Sequence, residues 1–191
     1  MGFADLTKRK AGRVIGIDCS TFSLAYAIFD DNKPVACGEV QFNGSDIYER
    51  LNDARRKTQA LVDNGILVGD HIGMEAAIVA KSGAQVAIKL AYVYGAVLGV
   101  LMQNKMNVET VAPITWQTYI GNGNLKTDEK NQMRIDFPDH KDSWYQNEGR
   151  KRRKQRTLDF AKTFFTIASD SDNVGDAVGI AYYTSEALTR R

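Results

Sequence analysis

Three short β-type runs follow one another before any helical pattern begins: residues 13–19 (Arg-Val-Ile-Gly-Ile-Asp-Cys), 24–29 and 34–42. Runs separated by turns this small pair as an antiparallel meander. The pattern then changes. Ile47, Leu51, Ala54, Leu61 and Val62 fall near one helical face across residues 46–62, with most of the charges elsewhere. A fourth strand is expected at 71–76, a long apolar helix at 84–106 and a fifth strand at 108–112. Strands first, then helix-strand-helix-strand, imply a mixed sheet of three antiparallel and two parallel strands with helices on both faces.

Beyond the fifth strand the periodicity weakens. A short helical stretch near 114–120 leads into the turn Gly121-Asn-Gly-Asn124, and a charged helix follows at about 127–135. Residues 137–156 carry no steady period and are read as an arm or insertion. Closing helices are expected at 158–167 and 174–188, the second preceded by Ser169-Asp-Ser-Asp172, a run rich in N-cap residues. The pattern as a whole suits a ribonuclease H-like α/β core in a single domain over 1–191.

The composition has ordinary globular values, 43% hydrophobic and 25% charged, which argues against a mainly disordered chain. The formal net charge is +2, but six of the seven residues at 150–156 are basic, and taking them away leaves the rest at −4. Any attraction for polyanions is therefore localised. Cys19 and Cys37 have no metal-ligand spacing and read as reduced core residues. The N-terminal stretch lacks a signal-peptide apolar run, and Leu6 stands where a myristoylation signal needs Ser or Thr. The apolar segment 90–102 falls short of the roughly 20 residues of a membrane span. These features point to a cytoplasmic protein, of a bacterial or phage-infected cell, with no membrane partner.

Three carboxylates stand where stability would not put them. Asp18 closes an apolar strand, Glu75 sits in another, and Asp176 lies inside an apolar helix. Ionised carboxylates in such surroundings need compensation, and a shared cation supplies it. With no Cys or His beside them, oxygen-only ligation points to Mg²⁺ or Mn²⁺ over Zn²⁺.

The same residues carry a family likeness. Val14-Ile-Gly-Ile-Asp18-Cys-Ser resembles the first catalytic strand of RuvC-type Holliday junction resolvases. The run from Glu75 through Lys81-Ser-Gly to Tyr94-Gly resembles that family's glutamate strand, loop and long helix. Pro113 through Gly121-Asn-Gly to Lys130-Asn-Gln-Met and Asp172-Asn-Val-Gly-Asp176-Ala-Val resemble its later segments, in the family's order. The resemblance implies a structure-selective endonuclease that hydrolyses phosphodiesters of four-way DNA junctions at two Mg²⁺ ions, Mn²⁺ substituting, and leaves nicks with 5′ phosphates. Asp18, Glu75 and Asp176 are the implied ligands, joined by Asp172 or Asn173, and Lys130 is implied to reach the scissile phosphate region. A symmetric junction implies a homodimer, with the helix at 84–106 as the candidate interface. No nucleotide cofactor is implied.

Further DNA contacts are expected from Ile78 as an apolar wedge, from Lys81 and Ser82 in the loop after Glu75, and from Lys126. The basic run Arg150, Lys151, Arg152, Arg153, Lys154 and Arg156 is expected to neutralise phosphates. Two departures stand out. Asn173 takes the place where the family carries a carboxylate or histidine, which leaves a non-catalytic junction-binding protein as the second reading. The insertion at 137–156 exceeds that of bacterial members and is closer to viral or phage relatives. Gly16-Ile-Asp-Cys-Ser-Thr21 also resembles the phosphate loop of the sugar-kinase, actin and Hsp70 group, but that group needs two related domains, more than 191 residues hold.

Overall fold

A computed structural model describes residues 12–77, 83–165 and 171–190. The strands are β1 (Arg13–Cys19), β2 (Ser23–Asp30), β3 (Lys33–Gln41), β4 (His71–Glu75) and β5 (Val108–Val111). They form one sheet in the order β3-β2-β1-β4-β5. β1 pairs antiparallel with β2, and β2 with β3, while β4 runs parallel to both β1 and β5. The sheet is the expected one. The left-handed turn between β2 and β3 is made by Asp31 and Asn32, both at positive φ, a conformation that Asp and Asn tolerate better than most residues.

Alternation sorts each strand's side chains onto two faces. Ile15, Ile17, Leu24, Ile28, Ile72 and Met74 join the core under α1 (Ile47–Asp63) and α2 (Ala84–Gln103). Ala25, Ala27 and Phe29 face α5 (Asp142–Lys162) and α6 (Asp172–Thr189). On this second face the sheet is floored with small residues, and α6 rests almost on the backbone. A Cβ on Gly16 would collide with the Ala177 carbonyl oxygen and the Ala181 amide nitrogen, and one on Gly73 with Thr184 Oγ1. Glycine at 16 and 73 is what allows the helix so near the strands.

α2 ends at Gln103 rather than the expected Met106, and within the chain it is buried on one side. Val93, Val97, Val100 and Leu101 are core, whereas Val86, Ile88, Tyr92 and Met102 are exposed. All four core residues lie from Val93 onward, in the part packed over the sheet beside α1. Taken whole, the 20-residue helix is long and apolar enough, by length and composition, to cross a membrane, which the shorter segment 90–102 concealed.

The larger correction concerns residues 137–156. They are no irregular arm: from Asp142 they enter α5, a 21-residue helix that takes in residues 158–162 of the helix expected at 158–167, whose last two residues lie outside the described ones. Its buried face is Tyr145, Gly149, Thr157, Leu158 and Ala161. That face repeats at helical spacing, but a glycine and a threonine stand where hydrophobic residues would have revealed it. α4 (Thr127–Asp136) and α5 pack as a hairpin around Leu125, Met133 and Tyr145. At its tip, His140 stacks on Trp144 with ring centroids 4.0 Å apart, and Tyr145 Oη donates to the Phe137 carbonyl at 2.5 Å. α3 (Pro113–Tyr119) brings Trp116, fully buried, against Ile180 and Gly179 of α6.

Cys19 and Cys37 are free, as expected, and pack against the two different cores. Burial and the neighbouring Asp18 push the Cys19 thiol up to about 12, so it stays protonated.

Candidate active site

Strand register places the first two carboxylates. Ile17 pairs with Met74 in the parallel β1–β4 ladder, so Asp18 and Glu75, one step on, end adjacent strands about 4.8 Å apart. Both follow a glycine at i−2, Gly16 and Gly73, and therefore point to the α6 face. Asp176 arrives from above. It precedes Ala177, whose carbonyl lies over Gly16, so the same close packing that seats α6 lowers its first turns onto the ends of β1 and β4.

Electrostatics record the convergence. Asp18 is pushed up to about 6 by burial and by Glu39, with Lys154 pulling the other way. Glu75 is pushed up to about 7 by burial and by Asp18, opposed by a hydrogen bond from Trp116. Asp176 is pushed up to about 8 by burial, then by Asp18 and Glu75, with Lys154 again opposing. Glu75 feels Asp18, and Asp176 feels both of them. Negative charge is thus concentrated at one place in the fold with less compensation than it needs.

The donor chemistry suits a hard divalent cation: the oxygens come from carboxylates and an amide, and neither sulfur nor imidazole stands among them. Among the described residues no three Asp, Glu, His or Cys side chains are drawn together into a ready ligand group. Mutual repulsion of the three carboxylates works against such closure. The residues fit the cation in type, charge and placement on their strands and helix, without forming a closed cage.

The fourth-ligand candidates occupy different surroundings. Asp172 forms an ion pair with Lys154. Asn173 donates through Nδ2 to Ser23 Oγ at 3.1 Å and to Glu39 Oε1 at 2.8 Å. Asp172 and Asp176, four residues apart, share a helix face, since α6 begins at Asp172, capped by Ser171.

The basic run lies along α5 and is partly engaged within the chain. Arg156 pairs with Glu129, Arg152 with Glu148 at 3.6 Å, and Arg153 donates to Asn124 Oδ1 at 3.3 Å. Lys151 and Arg150 are exposed. A cavity of about 220 Å³ is lined by Arg150, Arg153, Lys154, Gln117, Asn122, Thr157 and Asp176. Arg150 and Arg153 also line a groove of about 570 Å³ between α4 and α5, together with Lys130 and Arg134. Lys130 is therefore on the α4–α5 groove and absent from the lining beside Asp176; Lys126 is exposed at the start of α4. Ile78, Lys81 and Ser82 lie outside the described residues. A depression of about 880 Å³ between α1 and α2 touches none of the carboxylates singled out here.

Three contributors escaped the sequence reading. Trp116, packed against α6, also donates its indole N–H to Glu75 Oε2 at 3.1 Å. Asn122 is buried and ties the Gly121–Asn124 turn to α5 through Arg153 O and Thr157 Oγ1, both at 2.7 Å. Glu39, a lone charge in the β-type run 34–42, carries the same signal that singled out Asp18 and Glu75, and only the strand register relates it to them.

No protein-family model matches the sequence, and no curated protein matches it. Solved structures do. Thermus thermophilus RuvC in complex with Holliday junction substrate superposes with a TM-score of 0.65 over 94% of this chain and 95% of that one, at 14% identity. The fold is that of RuvC. A second T. thermophilus RuvC structure agrees, with a TM-score of 0.62 and 13% identity over the same shares of both chains. The five-stranded mixed sheet and its flanking helices are thus the RuvC form of the ribonuclease H-like architecture. The likeness spans nearly the full length of both chains.

Proposed function

We propose that this protein is a divalent-cation-dependent endonuclease that cuts branched DNA, four-way junctions above all. The observation that carries the reading is the placement of Asp18 and Glu75 at the ends of adjacent strands with Asp176 brought over them by α6. The likeness of the whole chain to a RuvC seen with a Holliday junction substrate supports it.

In this reading Asp18, Glu75 and Asp176 hold Mg²⁺ or Mn²⁺, two ions per site, with Asp172 or Asn173 as the fourth ligand. Bound there, such ions lower the pKa of an attacking water and offset charge on the departing 3′ oxygen, which yields 5′-phosphate nicks. The chain's own part is orientation. Trp116 fixes one oxygen of Glu75, the cap at Ser171 fixes the first turn of α6, and the wall of Arg150, Arg153 and Lys154 beside Asp176 draws in the phosphate backbone. That wall continues past Arg150 and Arg153 into the α4–α5 groove, where Lys130 and Arg134 extend the path for a strand. The exposed apolar residues of α2 are the proposed contact of a homodimer, which a two-fold junction needs for paired nicks.

The test is incubation with labelled four-way junction, flap and duplex DNA under Mg²⁺ or Mn²⁺. Wild type should cut the junction, while Asp18→Asn and Glu75→Gln bind it without cutting. Cutting by both variants would remove the proposed site; binding without cutting by wild type would leave a junction-binding protein with no nuclease function.

A further inference from the structure

Glu39 belongs to the same row of the sheet as the two strand carboxylates. It pairs with Ala25 across β2–β3, and Ala25 pairs with Asp18 across β1–β2. Directly opposed residues share a face, so Glu39, Ala25, Asp18 and Glu75 run in line beneath α6. Ala25 between them is small, and the room above it is taken by the first turns of α6, whose Val174 and Ala177 pack in the same cluster.

Both oxygens of Glu39 are committed to that turn. Oε2 accepts from Ser171 Oγ at 2.6 Å, and Oε1 accepts from Asn173 Nδ2 at 2.8 Å. Ser171 is also the helix cap, its Oγ accepting from the Val174 N–H at 3.4 Å. An amide nitrogen has two protons to give. For Asn173 the second goes to Ser23 Oγ, so its Nδ2 is used in full, and among the described residues no donor takes its Oδ1. The opposite orientation would set a carbonyl oxygen against the Glu39 carboxylate. Asp172, the other candidate, is engaged by Lys154.

We infer that Glu39 is a positioning residue of the cation site: it holds the Asn173 amide with the carbonyl oxygen as its free end and so makes Asn173, rather than Asp172, the fourth oxygen ligand beside Asp18, Glu75 and Asp176. The inference rests on the cation-dependent reading above. It goes further by choosing between the two candidate ligands and by naming the residue that makes the choice.

The experiment is Mn²⁺ binding to the whole chain, followed by the electron paramagnetic resonance of free Mn²⁺, with junction binding in EDTA and the urea midpoint measured alongside. Glu39→Leu should weaken Mn²⁺ binding by about 10-fold or more, the loss usual when a partner of a metal ligand is removed. Glu39→Gln, which still offers an acceptor to Asn173, should recover most of it. Asn173→Ala should weaken binding to a similar degree, and the double variant E39L/N173A should be no worse than N173A alone, because Glu39 acts through Asn173. Junction binding in EDTA should be unchanged in all four.

Losses that multiply in the double variant, or a Glu39→Leu that binds Mn²⁺ like wild type, overturn the inference and leave the nuclease reading intact. A Glu39→Gln as weak as Glu39→Leu overturns it too, since charge and not orientation would then be the cause. A wild type that binds no Mn²⁺ overturns both.

Discussion

Replacing Asp176 with asparagine should stabilise the cation-free protein, by an amount that grows as pH rises from about 4 to about 8. The carboxyl is pushed up to about 8 from an ordinary 3.8, first by burial and then by Asp18 and Glu75. Between those two values the folded chain keeps a proton that the unfolded chain has released. The native state then binds more protons, so stability falls as pH rises from about 4 and the loss is complete above about 8. At about 1.4 kcal/mol per pH unit the full displacement corresponds to about 6 kcal/mol. Water entry and side-chain relaxation on ionisation reduce the realised cost to about 2 kcal/mol. For a chain of this size that is about 4–8 °C in melting temperature. Thermal unfolding in EDTA should find D176N more stable than wild type by this amount at pH 8.5, with the gap narrowing steadily as pH falls and closing below about 4, where folded and unfolded wild type both keep the proton. Mg²⁺ at pH 8.5 should reverse the order, because only wild type gains the full binding free energy. A wild type that matches or exceeds D176N at pH 8.5 in EDTA, or a difference independent of pH, would refute the claim that these three carboxyls confront one another.

Three further outcomes follow from particular contacts. Trp116→Phe keeps the ring in the core but removes the donor to Glu75; cleavage should slow by about 10-fold at a stability loss of about 1 kcal/mol, read from single-turnover rates and urea unfolding. Gly16→Ala puts a methyl into the α6 backbone and should cost about 3 kcal/mol or more; an unchanged urea midpoint would deny the close approach of α6 to β1. The double variant R150A/R153A should make the log K against log salt plot for junction binding shallower by about 1.8, as the loss of two phosphate contacts requires; anisotropy titrations across a salt series measure it.

The sheet was legible because its signals are local. Each strand announces itself by its own alternation, and meander and crossover follow from the lengths of chain between strands. The carboxylates Asp18, Glu75 and Asp176 were conspicuous for the same reason, as charges inside apolar runs. α5 was hidden because helical periodicity is read through hydrophobic residues, and its inward face uses Gly149 and Thr157 where α4, the Gly121–Asn124 turn and α6 come close.

Residue type and order alone, then, determined the ribonuclease H-like core and picked out the acidic residues at its centre. What each of those residues faces was decided only in three dimensions. Lys154 meets Asp172 from a different helix, and Trp116 meets Glu75 across 41 positions of chain. Glu39 meets Asn173 across 134. Pattern along a chain reports which side of an element is buried; it carries no record of which distant side chain is buried against it, and at a charged site that partner decides how the group behaves.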